Sequence, residues 1–519
     1  MTTFEKIHDD AILGKITGFD RVIFRGYLNR LMPEGAFQRF MSANGVLLKE
    51  FKTFVEAATS ELKEHAKRVA EEAGRPFIYL GESSTKSSGF SKEDRAKSIA
   101  AEHGISEGLI AVFSTVEPCT SFAVVPDRES KKLKVIPQRR KCLHFYFYLL
   151  DREFGFMHIR LQSWFPMTIQ VYINGREWLA KQLEARHIGF VRYENSFLQI
   201  DDLPAATLLT RKLTRRSWPR TLDALARRVN PWLDLLRTLG YDGYYWVTHQ
   251  AEIATDVMFR DRASLDALLP DLFEKSMTAF AAEDVLIFLG RKMNGNFLGE
   301  VTMDRKRRPE GRRVKFRMKQ NSIKMYDKGT VLRIETTINN PREFRIFRAS
   351  RDDGKRRWLP MRKGVADFWH YATVGVSANE RFLEALATIP ATHAVVLEID
   401  DLCRPKVCDG RRVPRLQPLR EDICRLFRAI LSGDHLLNGF RNSAIARQMF
   451  PKEVEDPAGR ARACQRVSRL IRQLRDRGLV AKVPNRRLYR TTSLGYRLMG
   501  AAIHLRNKAL PIALSSHVA

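Results

Sequence analysis

The sequence predicts an α+β fold, a mixed multi-domain body over about the first 400 residues, followed by a helical module closed by a hairpin. Three observations predict it. Apolar and polar residues alternate at the period of a strand in segments spread between residues 15 and 338. Between them lie stretches with apolar residues at helical spacing, such as Phe51, Phe54, Val55, Leu62, Ala66 and Val69. After residue 418 the pattern becomes three helical segments and a strand–turn–strand.

Taken in order, residues 15–30 read as a strand through Val22, Phe24 and Tyr27-Leu28, and 48–74 as a helix closed by Gly74. Gly81–Gly89 is a Ser-rich loop, and Ser91 with Asp94 resembles a capping box for a helix ending at Gly104. Strands follow at 109–114, 121–126, 133–137, 143–150, 156–164 and 169–173, with Asn174-Gly175 as a turn. The polar segment 201–204 suggests a boundary, giving an N-terminal α+β domain over 1–200. A central basic α+β domain over 205–400 opens with Arg-rich helix at 205–240. A strand at 244–259, a helix at 264–280 and strands near 285–290, 297–303, 312–319, 321–327 and 331–338 come next, then helix at 364–390. Residues 402–417, rich in Arg and Pro, read as a linker. No internal repeat is evident.

The third unit, 418–505, has helices at 419–431, 440–450 (with Asn442 as N-cap) and 460–477, the last with Ala463, Val467, Leu470, Ile471 and Leu474 inward and Gly478 as its cap. A strand–turn–strand through Pro484-Asn485-Arg486 completes it. Helix–helix–helix–hairpin is the order of a winged helix-turn-helix, and RGLVAKV…RLYRTTSLG is similar to the wing of bacterial DNA-binding domains of that type. Residues 460–490 hold 11 Lys and Arg against one acid, Asp476. Arg462, Arg466, Arg469 and Arg472 on the third helix, with Arg486 and Arg487 at the wing, are the expected nucleic-acid contacts. A helix face solvated for protein contact is the plainer reading.

Charge gives the partner class. With 89 Lys+Arg against 59 Asp+Glu, the chain carries +30. So large a charge calls for a counter-charge, and a phosphate backbone is the commonest. Clustering supports this: 305–328 hold 11 Lys and Arg against Glu310 and Asp327. Arg305, Lys306, Arg307, Arg308, Arg312, Arg313 and Lys315 are therefore expected to meet phosphates. No 18-residue apolar run and no signal-peptide core are found, so no membrane partner and a cytoplasmic location are expected. Six scattered cysteines do not make a disulfide framework. Cys403-x4-Cys408 is half of a zinc site with no second pair nearby, and no zinc is expected.

Within the basic stretch, FLGRK (288–292), YDKG (326–329) and LRIET (332–336) resemble, in order and strand context, the rolling-circle replication initiators of plasmids and filamentous phages. The preceding strand WVTHQAEIATDVMF (246–259) is similar to the acidic strand of that family. The resemblance covers about 244–345. It implies a tyrosine that joins covalently to a 5′ phosphate of single-stranded DNA, assisted by Mg²⁺ or Mn²⁺. Tyr326 is the candidate nucleophile, with Lys324 and Lys328 on the same strand face to stabilise charge. Glu252, Asp256 and Glu335 are the candidate hard-oxygen ligands, although Arg333 and Glu335 could equally form a plain ion pair. The His-hydrophobe-His motif of many such initiators is reduced here to His158-Ile159-Arg160. Trp164, Phe165, Tyr172 and Trp178, with Arg160, Gln162 and Arg176, could stack unpaired bases, but aromatic core is the preferred reading.

The resulting expectation is a mobile-element nucleic-acid-binding protein, a replication initiator that nicks one strand. Two alternatives stay open: a non-catalytic binding protein for a structured RNA or DNA, and a winged-helix transcription regulator.

Overall fold

The computed structural model describes residues 2–509 apart from 34, 82–90, 239, 241–242, 279, 281, 291–300, 309–310, 351, 388–392, 409, 433–434, 436–438 and 485. The Ser-rich loop, the end of FLGRK, most of the strand expected at 297–303 and the tip of the C-terminal turn lie outside the described residues.

The body is mixed α+β around one 11-stranded sheet. Its strands are β1 (Ile12–Tyr27), β2 (Phe77–Tyr79), β3 (Gly108–Asp127), β4 (Lys132–Asp151), β5 (Gly155–Gln162) and β6 (Ile169–Asn174). After a separate hairpin, β7 (Phe190–Tyr193) and β8 (Ser196–Ile200), come β9 (Tyr245–Phe259), β10 (Val301–Arg308), β11 (Gly311–Met318), β12 (Asn321–Lys328) and β13 (Val331–Ile338). The order across the sheet is β10-β11-β12-β13-β9-β1-β6-β5-β4-β3-β2. β1 is antiparallel to β6 on one side and to β9 on the other. The segment 201–204, expected to separate two domains, thus joins two halves of one sheet.

The two halves repeat one plan. A long strand (β1 or β9) leads through helices into a four-strand antiparallel meander, and the last strand of the meander (β6 or β13) returns beside the first. In the first half β2 adds a parallel edge strand to β3.

Apolar residues on one face build the main core. Phe24, Val171, Ile159, Phe145 and Phe147 pack with Ala58, Leu62 and Ala66 of the helix Phe51–Glu72. Behind β9 and β13 lies the helix Phe368–Leu386. Its Gly375 lies so near Ile253 that an added Cβ would come within 2.7 Å of that side chain. Asn379 of this helix donates to the Ile253 carbonyl (3.0 Å) and accepts from Thr336 Oγ1 (2.7 Å), which fixes both strands from behind. On the opposite face the helix Lys92–Glu102 covers only the outer strands, with Ala96 and Ile99 against Phe113 and Tyr148. The β7–β8 hairpin lies over part of β9 and β13 on that face, through Asn195 and Phe197, and a cleft remains beside it.

Several local expectations are corrected. Asn174-Gly175 is no turn: Asn174 caps the helix Gly175–Glu184, accepting from the Arg176 and Glu177 amides. Residues 282–288 are helical rather than a strand, since a short apolar run cannot distinguish the two. The four short strands expected over 109–150 are the two long strands β3 and β4, whose ladder runs through polar residues without a break in pairing at Glu117–Thr120. Asn442 is the first residue of its helix, and its side chain instead reaches the Cys464 carbonyl (3.0 Å).

The C-terminal stretch has its own core. Helices Glu421–Ile430, Asn442–Met449 and Pro457–Asp476 are followed by strands Val480–Lys482 and Tyr489–Thr491 and the helix Ser493–His504. Ile423, Phe427, Ile445, Val467, Ile471, Leu474 and Met499 pack together there. Asp456 caps the long helix through the Gly459 amide, and Gly478 follows it at φ 75°.

Candidate functional site

The site lies in the cleft beside the β7–β8 hairpin, where β12, β13, β9 and β1 meet. Register sets its composition. Tyr326 on β12 stands opposite Arg333 on β13, and Arg333 opposite Asp256 on β9. One step along, Lys324 stands opposite Glu335. On β1 a bulge between Phe19 and Val22 adds a residue opposite β9. It brings Asp20 and Arg21 to Glu252. Asp20, Glu252, Lys324, Tyr326, Arg333 and Glu335 line a cavity of about 340 Å³ with Arg312 and Arg313.

Arg333 is the hub, and it is 1% exposed. Its guanidinium donates to Asp256 Oδ1 (2.5 Å) and Oδ2 (3.2 Å), to Asp20 Oδ2 (3.2 Å), to the Tyr326 hydroxyl oxygen (3.3 Å) and to the Asn195 carbonyl. The Tyr326 hydroxyl donates to Glu335 Oε2 (2.6 Å). Lys324 Nζ donates to Glu335 Oε1 (2.5 Å) and lies 3.5 Å from Glu252. Lys328 is committed to an ion pair with Glu194. Tyr326 is thus half-buried in a polar cleft, not in apolar packing.

Carboxylate oxygens of Asp20, Glu252 and Glu335 lie within 4.8 Å of one another. Burial, then repulsion from Glu335, pushes the Glu252 carboxyl up to about 7. Burial also raises Asp20, against the pull of Arg333. For Glu335 burial is outweighed by Lys324 and Arg333, which hold it down at about 2. Burial and then Glu335 push the Tyr326 phenol well above its ordinary value. A divalent cation fits this donor set. Three carboxylates converge as hard ligands, and Asp20 Oδ1 is buried without a hydrogen-bond partner among the described residues.

Two expected ligands, Glu252 and Glu335, belong to the trio, and Asp256 does not. Asp256 is fully buried between Arg333 and Arg176, 3.3 Å from the latter, and these two arginines outweigh burial and lower its carboxyl. Its oxygens are spent on those partners and the Phe197 amide. Asp20 takes its place. A charged residue breaking the alternation of GFDRVIF was its only trace in the sequence.

Arg312 and Arg313 are half-buried at the rim of the cavity, and Arg313 also meets Asp304 at 3.0 Å. Their strand starts at Gly311 (φ 149°), where an added Cβ would meet the Asp327 carbonyl at 2.4 Å. Lys315 is registered with Lys324. Arg305, Lys306, Arg307 and Arg308 lie on β10, next to β11, and their side chains are outside the described residues. Arg462, Arg469, Arg472, Arg486 and Arg487 are exposed on the C-terminal helix and hairpin. Arg466 is tied to Glu453 and stacks over Phe450 at 4.2 Å. His158 is a buried ring stacked on Tyr172 (centroids 5.0 Å apart), held at about 3 by burial and then Arg160, and lies outside the trio. Phe165 and Trp178 are core, as is Arg176.

Among the described residues no helix is long and apolar enough to cross a membrane. No protein-family model, no curated protein and no solved structure matches this chain.

Proposed function

We propose that this chain is a mobile-element nucleic-acid-binding protein that nicks a single strand through Tyr326, as a replication initiator does. The observation that carries the reading is the Tyr326 hydroxyl, hydrogen-bonded at 2.6 Å to one of three converging carboxylates and 3.3 Å from a buried guanidinium. In this reading the phenol oxygen attacks a backbone phosphorus and gives up its proton, the P–O3′ bond breaks, and O3′ leaves as a 3′ hydroxyl by taking a proton from solvent, while the 5′ phosphate stays on Tyr326. Glu335 orients the phenol as acceptor. As that acceptor, Glu335 is also the group placed to take the phenol proton. Arg333 faces the charge that develops on the phosphate oxygens. Asp20, Glu252 and Glu335 would hold Mg²⁺ or Mn²⁺, which supplies Lewis-acid stabilisation of phosphoryl oxygens and lowers the phenol's pKa. The basic strands β10 and β11 would hold the backbone, and the C-terminal helices and hairpin would act as a winged helix on a duplex site.

The test is incubation of the protein and Mn²⁺ with a pool of labelled single strands. A denaturant-resistant adduct, absent in Tyr326→Phe while strand binding persists, supports the reading; no adduct on any strand overturns it. A holding surface without chemistry is the second reading. It is favoured by the phenol's raised pKa and by the ion pairs that occupy Lys324 and Lys328.

A further inference from the structure

The other half of the sheet answers the row Tyr326–Arg333–Asp256. On the corresponding three strands, Arg160 of β5 is registered with Gln170 of β6, and Gln170 with Arg25 of β1. Where that row carries a phenol, a guanidinium and a carboxylate, this one carries two guanidiniums and an amide. Arg25 lies on the same face of β1 as Arg21, which lines the carboxylate cavity.

Two further groups converge on the row. His249 is the extra residue at the register shift of β9, between Gln250 opposite Ile23 and Thr248 opposite Phe24. Lys363 belongs to a strap laid along the end of β9: Gly364 bridges Val247, and the Thr248 amide donates to the Lys363 carbonyl at 2.7 Å. Burial, then the charges of Arg25, Lys363 and Arg160, hold the His249 imidazole down at about 4, so it is neutral at pH 7 and leaves a ring N–H free to donate.

Among the described residues no acid pairs with Arg25 or Lys363. Arg160 binds Glu117 through one nitrogen (2.6 Å), and its Nε is buried without a partner. Cations gathered on an open sheet face with too little counter-charge repel one another, and a phosphate relieves that repulsion while matching the planar fork of arginine. We infer that Arg25, Arg160, His249 and Lys363 form a second phosphate subsite, which grips the backbone of the same single strand a few nucleotides from Tyr326. The spacing suits this. Arg21 and Arg25 are separated by four strand residues, about 13 Å at the usual rise. The inference rests on the proposed handling of a single strand at the carboxylate cavity.

The test uses the full chain and a 5′-labelled (dT)20 strand. Arg25→Gln/Lys363→Gln should bind it on the order of tenfold more weakly, and the slope of log affinity against log salt should flatten by about 0.7, the change for one phosphate of a single strand that loses its cations. Each single variant should give a smaller change, and Arg25→Lys should recover part of the affinity but not all of it, since an ammonium lacks the planar fork. Mn²⁺ binding at the carboxylates should not move in any of them, which separates loss of the subsite from loss of the fold. Wild-type affinity and slope in the double variant overturn the inference. So does a site that binds inorganic phosphate through Arg25 and Lys363 while (dT)20 binding ignores both. If no Tyr326 adduct forms yet (dT)20 binding still depends on Arg25 and Lys363, the nicking reading falls and the subsite stands.

Discussion

Arg333 and Tyr326 face each other across the β12–β13 ladder, with the guanidinium 3.3 Å from the phenol oxygen and the same side chain hydrogen-bonded to both oxygens of Asp256. One arginine therefore holds the candidate nucleophile and a fully buried carboxylate at once.

Removing it should cost stability before it costs anything else. Arg333→Met leaves Asp256 with Arg176 alone, in a fully buried site. Breaking such a pair from one side costs about 3–5 kcal/mol. Denaturant unfolding should show a loss of that size, and a much smaller one in Arg333→Met/Asp256→Leu/Arg176→Met, which also removes the arginine that Asp256 would otherwise leave buried and unpaired. Equal losses in the two variants would mean that Asp256 is not held by Arg333.

Glu252 predicts a pH dependence. Its folded value of about 7 is above the ordinary 4.5, so between those values the folded chain holds a proton that the unfolded chain has released. Its stabilising contribution is full below about 4.5 and is lost as pH rises to about 7. Glu252→Gln should gain stability relative to wild type at pH 8, on the order of 1–3 kcal/mol, and none at pH 4. Mn²⁺ competes with that proton, so its affinity should climb with pH up to about 7 and flatten above. Calorimetry in two buffers of different ionisation enthalpy at pH 6 would detect the released proton.

The basic strand β11 should meet phosphates without regard to sequence. Neutralising Arg312 and Arg313 should weaken binding of all single strands alike and reduce the salt slope by about 0.7 for each phosphate left without its cation. An unchanged slope would mean that the rim of the cavity faces away from the strand.

At the C-terminal module, Arg469 and Arg472 are exposed without an ion-pair partner among the described residues, whereas Arg466 is engaged with Glu453. Arg469→Ala should therefore weaken duplex binding by about 1–3 kcal/mol, and Arg466→Ala by less. Gel-shift titration of the full chain at fixed salt would rank them. A larger loss for Arg466 would place the Glu453 side of the helix on the nucleic acid.

The sequence makes the chemistry of this site legible more readily than its geometry. The period of two places Lys324, Tyr326 and Lys328 on one face, and the observed β12 and β13 lie within a residue of the expected strands. Glu252 and Glu335 do meet, as side chains on neighbouring strands can. Asp20 could not be read, because a bulge puts it there and a bulge breaks the periodicity that sequence reading uses. Asp256 misleads for a related reason: a buried carboxylate looks the same in sequence whether it faces a cation from solution or two arginines from distant strands. The repeated plan of the sheet is hidden too. Its halves share strand order but not residues, and the row Arg160–Gln170–Arg25 has nothing in common with Tyr326–Arg333–Asp256 as letters.

The pairing of β1 with β9 has a consequence for how the chain can be divided. A cut at 201–204 would leave each piece with a long bare strand edge, β1 on one and β9 on the other, each offering unpaired amides and carbonyls to any neighbour. Made alone, the pieces should aggregate. Made together in one cell, each is the template the other lacks, and the two should reassemble as a split protein whose seam runs past Asp20 and Glu252.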